Sequence, residues 1–408
     1  TEGLSALFTA DDEKDPFSKI STDIRLGYRF SDHFNLNVYG NQTKVKNSFD
    51  ESFGLLDAPY QFLSKQERLG ISSQYTYKNG SFHINAAYSN YESESKSAFP
   101  STFSGENLVI DAFNKYQFND QLYTVLGLNY IDDTADLETQ TTFTITDPYV
   151  NLVYVSDFGL NLNTGARFNS HSEYGENFVF NLNPSFVLKT NTGYVKVLSS
   201  YATSYITPNL TQLFGAFGAN PDLEPEEDRT IEAGLEYFRN DQLRMSALYF
   251  NRKEENFITF DPVTFGSINA ENTIDAEGVE VELDWNPSQS IQHNLNYTFT
   301  ERKGDNAIRL PKHKINAILG YQFSSRTNAT LSYAFTGRRL DSDFGVFPSV
   351  DVSLDSYSLV DFYFGYAMIP EKLNLFLSAS NVLNESFTEV LGFTTRGRNI
   401  RMGFNLKL

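Results

Sequence analysis

The chain has 408 residues and an acidic composition, with 51 Asp and Glu against 32 Lys and Arg and a formal net charge of -19. Because negative charge repels phosphate, nucleic-acid binding is a poor hypothesis. Aromatic residues make up 15% of the chain, yet the mean hydropathy is -0.37, and no stretch approaches the apolar length of a membrane-spanning helix. The absence of cysteine excludes disulfides, thiolate metal sites and cysteine nucleophiles.

Apolar and polar residues alternate along most of the sequence, as in Phe34-Asn35-Leu36-Asn37-Val38 and Leu160-Asn161-Leu162-Asn163. A period of two predicts half-buried strands, and we count nineteen segments of about ten to thirteen residues. In chain order they begin near Asp23, Asn35, Glu67, Phe82, Leu108, Leu122, Phe143, Leu160, Phe178, Tyr194, Arg229, Arg244, Ile274, His293, Lys312, Ala329, Tyr357, Leu373 and Arg398.

The connections between these segments alternate between short and long. Short turns such as Asn79-Gly80 and Asn240-Asp241 have hairpin chemistry, and the longer polar loops include roughly 44–64, 92–106, 204–227, 253–273 and 339–355. This asymmetry is typical of outer-membrane barrels, which have short periplasmic turns and long extracellular loops. Only a closed barrel lets strands cross lipid without unpaired edges. We therefore predict an all-β, transmembrane antiparallel β-barrel with a periplasmic C-terminus.

The number of predicted strands is odd, which bears on how the barrel closes. The first and nineteenth predicted strands run in the same direction, and an odd number of strands cannot close an antiparallel bacterial barrel. We therefore expect at least one further strand before Thr1.

Several segments resemble signatures of the TonB-dependent receptor family. The run from Tyr201 to Gly215, followed by Asn220-Pro221-Asp222-Leu223-Glu224-Pro225-Glu226, is similar to the family's mid-barrel motif. Further matches follow in the family's order, at 276–280, 309–313, 380–384 and 392–398. The resemblance implies a 22-stranded barrel of which residues 1–408 are the C-terminal part. The N-terminal plug, the TonB box and the first strands would then be absent from this chain.

Within that family the chain is most similar to the transporters of cobalamin, vitamin B12. The resemblance implies a receptor in the outer membrane of a Gram-negative bacterium that imports a scarce nutrient, driven by the TonB-ExbB-ExbD system through the plug and surrounded by outer-membrane lipid. Haem and siderophore receptors share the same motifs and stay open as alternatives. A plugless structural or passive barrel, for example one carrying a surface lipoprotein, is the other alternative.

Acidic residues in two neighbouring loops are candidate calcium ligands, because calcium takes six to eight oxygen ligands. The resemblance implies a site held by such aspartates, and the candidate positions are Asp11, Asp12, Asp15, Asp50 and Asp57. A solvated acidic loop is the alternative interpretation.

Substrate contacts are expected from aromatic and basic residues of the long loops, where flat rings cover planar ligands. Phe49 and Phe344 match positions that carry tyrosine in the cobalamin transporters, and Arg309 is a candidate donor at a strand end. Loop packing or an interior polar contact is the alternative for each. The five histidines are scattered without metal-ligand spacing and no nucleophile motif occurs, so the sequence predicts no enzyme and no catalytic cofactor.

Overall fold

The computed structural model describes residues 5, 7, 14–51, 56–137, 140–215, 217–261, 263–304, 307–346 and 348–407. Nineteen strands belong to one antiparallel sheet. These strands are β1 (Phe17–Arg29), β2 (Phe34–Glu51), β3 (Leu56–Tyr77), β4 (Gly80–Lys96), β5 (Ser101–Gln117), β6 (Leu122–Asp136), β7 (Gln140–Val155), β8 (Leu160–His171), β9 (Gly175–Thr190), β10 (Gly193–Ile206), β11 (Glu226–Arg239), β12 (Leu243–Glu255), β15 (Ile274–Ser288), β16 (Ile291–Lys303), β17 (His313–Ser324), β18 (Thr327–Thr336), β21 (Tyr357–Ile369), β22 (Leu373–Ser380) and β23 (Asn399–Leu406).

Four shorter strands form two separate hairpins. They are β13 (Ile258–Asp261) with β14 (Gly266–Asn269), and β19 (Arg339–Asp343) with β20 (Val350–Leu354). The described helices are α1 (Leu210–Phe214) and a 3₁₀ turn at Asn240–Gln242. Among the described residues, none of the helical segments has the length and apolar character needed to cross a bilayer.

The predicted count of nineteen sheet strands is confirmed, but several loop predictions are wrong. Strands β2 and β3 stay paired from Phe34↔Tyr75 to Phe49↔Tyr60, which occupies most of the predicted loop 44–64. In the same way, β4 and β5 extend into the predicted loop 92–106, so that only residues 97–100 connect them. Backbone pairing continues where neither face of the strands is consistently apolar, so the alternation that marks a strand disappears before the strand ends.

The chain divides into two compact units. Unit 1 comprises Thr1–Pro184, Ser200–Thr230 and Lys253–Ile274, and unit 2 comprises Ser185–Ser199, Ile231–Arg252 and Asp275–Leu408. Hairpin β13–β14 belongs to unit 1, and hairpin β19–β20 belongs to unit 2.

The sheet in unit 1 has one apolar face and one polar face, and cross-strand rows of residues show the division. Adjacent partners along one row of β1–β6 are Leu26, Val38, Ile71, Ala86, Ile110 and Tyr130. The neighbouring row on the opposite face of β2–β7 is Asn37, Ser72, Asn85, Asp111, Asn129 and Asp147. An apolar exterior and a polar interior are what a membrane barrel requires.

A Tyr-x-Phe pair recurs where strands approach a short turn. Tyr28 and Phe30 have ring centroids 4.7 Å apart in an edge-to-face arrangement, and Tyr116 with Phe118 shows the same geometry at 4.8 Å. In unit 2, Tyr321 and Phe323 repeat it at 4.6 Å. Aromatic residues form girdles at the two membrane interfaces of barrels, so these pairs are suited to one boundary of the apolar band.

Two tyrosine rings on the polar face lie over a glycine of the adjacent strand. Tyr39 is paired with Gly70, and Tyr149 is paired with Gly127. In each case a Cβ on the glycine would collide with the tyrosine ring, so only glycine fits beneath it.

Candidate ligand-binding site

The segment between β10 and β11 folds onto unit 1 through the short helix α1. Asn209 caps this helix, because its side-chain oxygen accepts from the Gln212 backbone N–H at 2.9 Å. The Gln212 side chain in turn accepts from the Asn209 backbone N–H at 2.9 Å, which completes a capping box. The cap directs Leu210 and Leu213 to the buried side of the segment.

A small hydrophobic cluster holds this segment against the sheet. Ala135 of β6, Phe143 of β7, Leu210, Leu213 and Leu223 are all buried there. Leu223 belongs to the Asn-Pro-Asp-Leu-Glu-Pro-Glu motif, so the motif supplies a packing residue as well as turn chemistry.

Tyr174 closes one side of the cluster and donates its hydroxyl to the Leu223 carbonyl at 3.2 Å. Burial is the main cause that raises the pKa of Tyr174 to about 12, so the hydroxyl stays protonated and able to donate.

Hairpin β13–β14 is attached to the same segment by backbone and amide hydrogen bonds. The Ser267 N–H donates to the Gly218 carbonyl at 2.8 Å, and the Asn220 side chain donates to the Ser267 carbonyl at 2.9 Å. Asn269 accepts from the Glu224 N–H at 2.8 Å and donates to the Glu224 carbonyl at 2.9 Å. The hairpin and the segment 207–225 therefore form one connected structure within unit 1.

Two cavities lie beside this structure, both lined entirely by residues of unit 1. The larger has a volume of about 980 Å³ and the other about 780 Å³. Both are lined by Phe103, Thr211 and Phe217, so they adjoin each other. Volumes of this size match small-molecule sites, which occupy about 300–1,000 Å³.

The 780 Å³ cavity combines aromatic and hydrogen-bonding groups. Tyr91, Phe143 and His171 contribute rings, and Arg68 contributes a guanidinium whose Nε donates to Ser89 Oγ at 3.1 Å. Flat rings with a few oriented polar groups suit a large ligand that carries amide or carboxylate substituents.

The predicted substrate residues fall in different units. Phe49 lies in unit 1 at the end of the β2–β3 pairing, with its ring centroid 5.6 Å from that of Tyr60. Arg309 and Phe344 lie in unit 2, and Phe344 is 53% exposed just after β19. Neither cavity described above includes any of the three, and their role in substrate binding stays a prediction.

Arg309 is held by a fully buried carboxylate. Its Nε is 2.8 Å from Asp341 Oδ1, and its own backbone φ of 59° is unusual for a residue other than glycine. Asp341 also accepts from the Ser342 N–H at 2.9 Å and from the Leu391 N–H at 2.8 Å. The Arg309–Asp341 pair thus connects strand β19 with two other segments of unit 2, which contain Arg309 and Leu391.

The predicted calcium ligands are only partly described. Asp11 and Asp12 lie outside the described residues, Asp57 is exposed, and Asp15 is half-buried. Asp50 is buried, and its two oxygens accept from the backbone N–H groups of Leu7 at 3.3 Å and Ala58 at 3.4 Å. The described part of the chain brings together no group of three acidic or histidine side chains that could hold a metal ion. The calcium site therefore stays a prediction.

The cavity residues were not among the sequence predictions. Phe103 lies in a predicted loop that is strand, Thr211 lies in α1, and Phe217 lies just before the turn motif at 220–226. A signal was available in the aromatic residues of 201–217, but nothing in the sequence shows which strands this segment faces.

A sheet with one apolar and one polar face, short turns opposite long structured loops, and cavities beside an inserted loop define an outer-membrane receptor barrel. The chain belongs to the TonB-dependent receptor-like β-barrel family, whose model matches residues 4–382. Members of this family are receptors and transporters of the outer membrane, not enzymes.

Curated relatives and solved structures give two kinds of likeness. Proteins named vitamin B12 transporter BtuB from Vibrio cholerae are 24% identical over 93% of this chain, which spans 62% of their length. The siderophore receptor PirA from Acinetobacter baumannii superposes with a TM-score of 0.82 at 14% identity, covering 98% of this chain and 71% of that chain. A mutant ferric enterobactin receptor, PfeA from Pseudomonas aeruginosa, gives 0.81 at 16% identity, covering 98% and 72%. At these identities the structures show the shared fold alone.

Proposed function

We propose that this protein captures cobalamin at the long-loop end of its barrel and imports it across the outer membrane. The observation that carries the proposal is the pair of cavities that share Phe103 and Phe217 in unit 1. Their combined size and aromatic walls suit a large ligand with a planar ring system. The name of the curated relatives, which match 93% of this chain, supports cobalamin as that ligand.

In this proposal the long loops are extracellular and the short turns are periplasmic. The energy for import would come from TonB-ExbB-ExbD acting on a plug, and Phe49, Arg309 and Phe344 would add contacts from the loops. The TonB-dependent receptor family supports an energised partner of this kind.

The test is binding and uptake of radiolabelled cyanocobalamin by cells that express the full-length protein. We expect saturable binding, and uptake that stops when the proton gradient is collapsed. Phe103→Ala should weaken binding about 10-fold or more, because it removes a wall shared by both cavities. Phe158→Ala is the matched control, since Phe158 is 65% exposed beside a short turn and lines neither cavity.

Two results would contradict the proposal. Absence of cobalamin binding with retained binding of ferric enterobactin or haem would move the protein to another receptor class. Uptake that persists after the gradient is collapsed would favour the passive barrel.

We also propose that calcium binds among Asp11, Asp12, Asp15, Asp50 and Asp57. The close sequence spacing of the first three supports the proposal, as does the buried carboxylate of Asp50, which already joins residues 7 and 58. Because a cation would offset repulsion between these carboxylates, chelation by EGTA should weaken cobalamin binding, and added calcium should restore it. Unchanged binding in EGTA would exclude a calcium role.

A further inference from the structure

His171 is a buried histidine that lines the 780 Å³ cavity beside the segment 207–225. It is the last residue of β8 and is only 4% exposed. Two aromatic rings fix its position, because Phe143 lies edge-to-face at a centroid distance of 5.0 Å and Tyr174 lies at 5.1 Å. Tyr174 also donates to the Leu223 carbonyl, so the contacts that dock the segment 207–225 also position the histidine.

The hydrogen bonds of the adjoining turn assign the proton of this imidazole to one nitrogen. The backbone N–H groups of Glu173 and Tyr174 both donate to His171 Nδ1, at 3.1 Å and 3.3 Å. A ring nitrogen that accepts a hydrogen bond carries no proton, so the imidazole is neutral and its proton lies on Nε2. His171 therefore has one defined donor, the Nε2–H group.

The Nε2–H group of His171 has no acceptor among the residues that the structure describes. A buried donor without a partner is destabilising, and nearly all such groups in proteins are bonded to protein, water or ligand. Nε2 lies across the ring from the nitrogen that is bonded to the turn, and the cavity adjoins this ring. An acceptor on a molecule in the cavity would therefore complete the hydrogen bonding of His171.

The charged residues around the cavity favour an uncharged acceptor. Its described lining includes the carboxylates of Glu106 and Asp133 and the guanidinium of Arg68, which leaves an excess of negative charge. An anionic ligand group would be repelled by this excess, and a neutral imidazole supplies no charge to offset it. A carboxamide carbonyl, by contrast, accepts a hydrogen bond without bringing charge into the cavity.

We propose that the Nε2–H group of His171 donates to a carboxamide carbonyl of the ligand and thereby selects ligands that carry amide side chains. The inference rests on the proposed function, because it places the ligand in the 780 Å³ cavity. The histidine is held in one orientation before the ligand arrives, so little conformational entropy is lost when the bond forms. A ligand without an acceptor at this position leaves the Nε2–H buried and unpaired, which disfavours its binding.

Two substitutions separate this role of His171 from its role in the turn. His171→Asn places an amide oxygen near the position of Nδ1, so the turn keeps an acceptor and the cavity loses its donor. His171→Gln places an amide group near the position of Nε2, so the cavity keeps a donor and the turn loses its acceptor. His33→Asn is the matched control, since His33 is exposed in a short turn and lines neither cavity.

The measurements are equilibrium binding to the purified full-length protein and hydrogen exchange of the Tyr174 amide, with cyanocobalamin, ferric enterobactin and haemin as probes. We expect His171→Asn to weaken cyanocobalamin binding about 3- to 10-fold, as for the loss of one hydrogen bond, while the Tyr174 amide stays protected. His171→Gln should recover most of this affinity, although the same amide exchanges faster. His33→Asn should change neither measurement.

Equal affinity of the parent protein and His171→Asn for cyanocobalamin would overturn the inference and leave the proposed function intact. Equal losses of affinity in His171→Asn and His171→Gln, with faster exchange in both, would show a purely structural role. If the parent binds ferric enterobactin and not cyanocobalamin, the proposed function fails, and the same comparison with ferric enterobactin, which also carries amide groups, decides the role of His171. Binding of haemin alone, whose acceptors are carboxylates, or of none of the three probes would overturn both.

Discussion

Replacing Leu213 with alanine should release the segment 207–225 while leaving the sheet intact. Leu213 is 2% exposed in the cluster with Phe143 and Leu223, and Leu→Ala in such a site costs about 2–5 kcal/mol. The cluster holds the segment against β6 and β7, so most of this loss should appear in docking of the segment. A loss of about 3 kcal/mol lowers the docking equilibrium about 100-fold.

Hydrogen exchange of the full-length protein measures this directly. In Leu213→Ala, amides of 207–225 should exchange about 100-fold faster, and those of hairpin β13–β14 should follow, because Gly218 and Asn220 bond to it. Leu383→Ala is the control, since Leu383 is 66% exposed. Unchanged protection of 207–225, or equal loss of protection throughout β6 and β7, would refute the reasoning.

Two further predictions concern buried and exposed aspartates. Asp341→Ala should cost about 2–4 kcal/mol of local stability, because it leaves the Leu391 N–H and the partly exposed Arg309 without their acceptor. Hydrogen exchange at the Leu391 amide should therefore become faster. Asp355→Ala, which removes an exposed ion pair, should change local stability by no more than about 0.5 kcal/mol, and equal behaviour of the two variants would contradict this role of Asp341. Hydrogen bonds from the Thr264 hydroxyl and from the Val263 and Thr264 amides lower the pKa of Asp261. The contribution of these bonds to the stability of the β13–β14 turn should therefore be complete above about pH 4 and be lost as the pH falls through the lowered pKa. Pepsin nicking of this hairpin in the parent, relative to nicking of Asp261→Asn at the same pH, should therefore rise as the pH falls, whereas equal nicking of the two proteins at every pH would exclude the carboxylate as the cause.

The strands were predictable because lipid imposes a strict period of two. The row through Val38 and Ile71 lies on the apolar face of the sheet, and the neighbouring row through Asn37 and Ser72 lies on the polar face. The resulting alternation along each strand is visible in a single sequence. Further along the same strands, Gln42–Glu51 and Leu56–Glu67 are mostly polar on both faces, and their few apolar residues, such as Val45 and Leu63, do not alternate with the polar ones. Nothing there distinguishes a paired strand from a loop, so those strands appeared too short.

The ligand site was much less predictable, because it is assembled from distant segments. Phe103 and Phe217 line both cavities, yet they are far apart in sequence, and only the docking of α1 brings them together. Arg309 was expected at a strand end but lies in the connection between β16 and β17, and its buried partner Asp341 depends on contacts between distant segments of unit 2. Such pairings have no local pattern.

The tyrosine rings that lie over Gly70 and Gly127 have a consequence for how this sequence can diverge. A one-residue slip would move Tyr39 from Gly70 to Leu69 or Ile71, on the other face of β3, so the pair permits a single alignment of β2 and β3. An alanine at Gly70 would be tolerated only if Tyr39 became smaller in the same lineage. We therefore expect each tyrosine and its glycine to be inherited together or lost together, even among homologues that retain little else of the sequence.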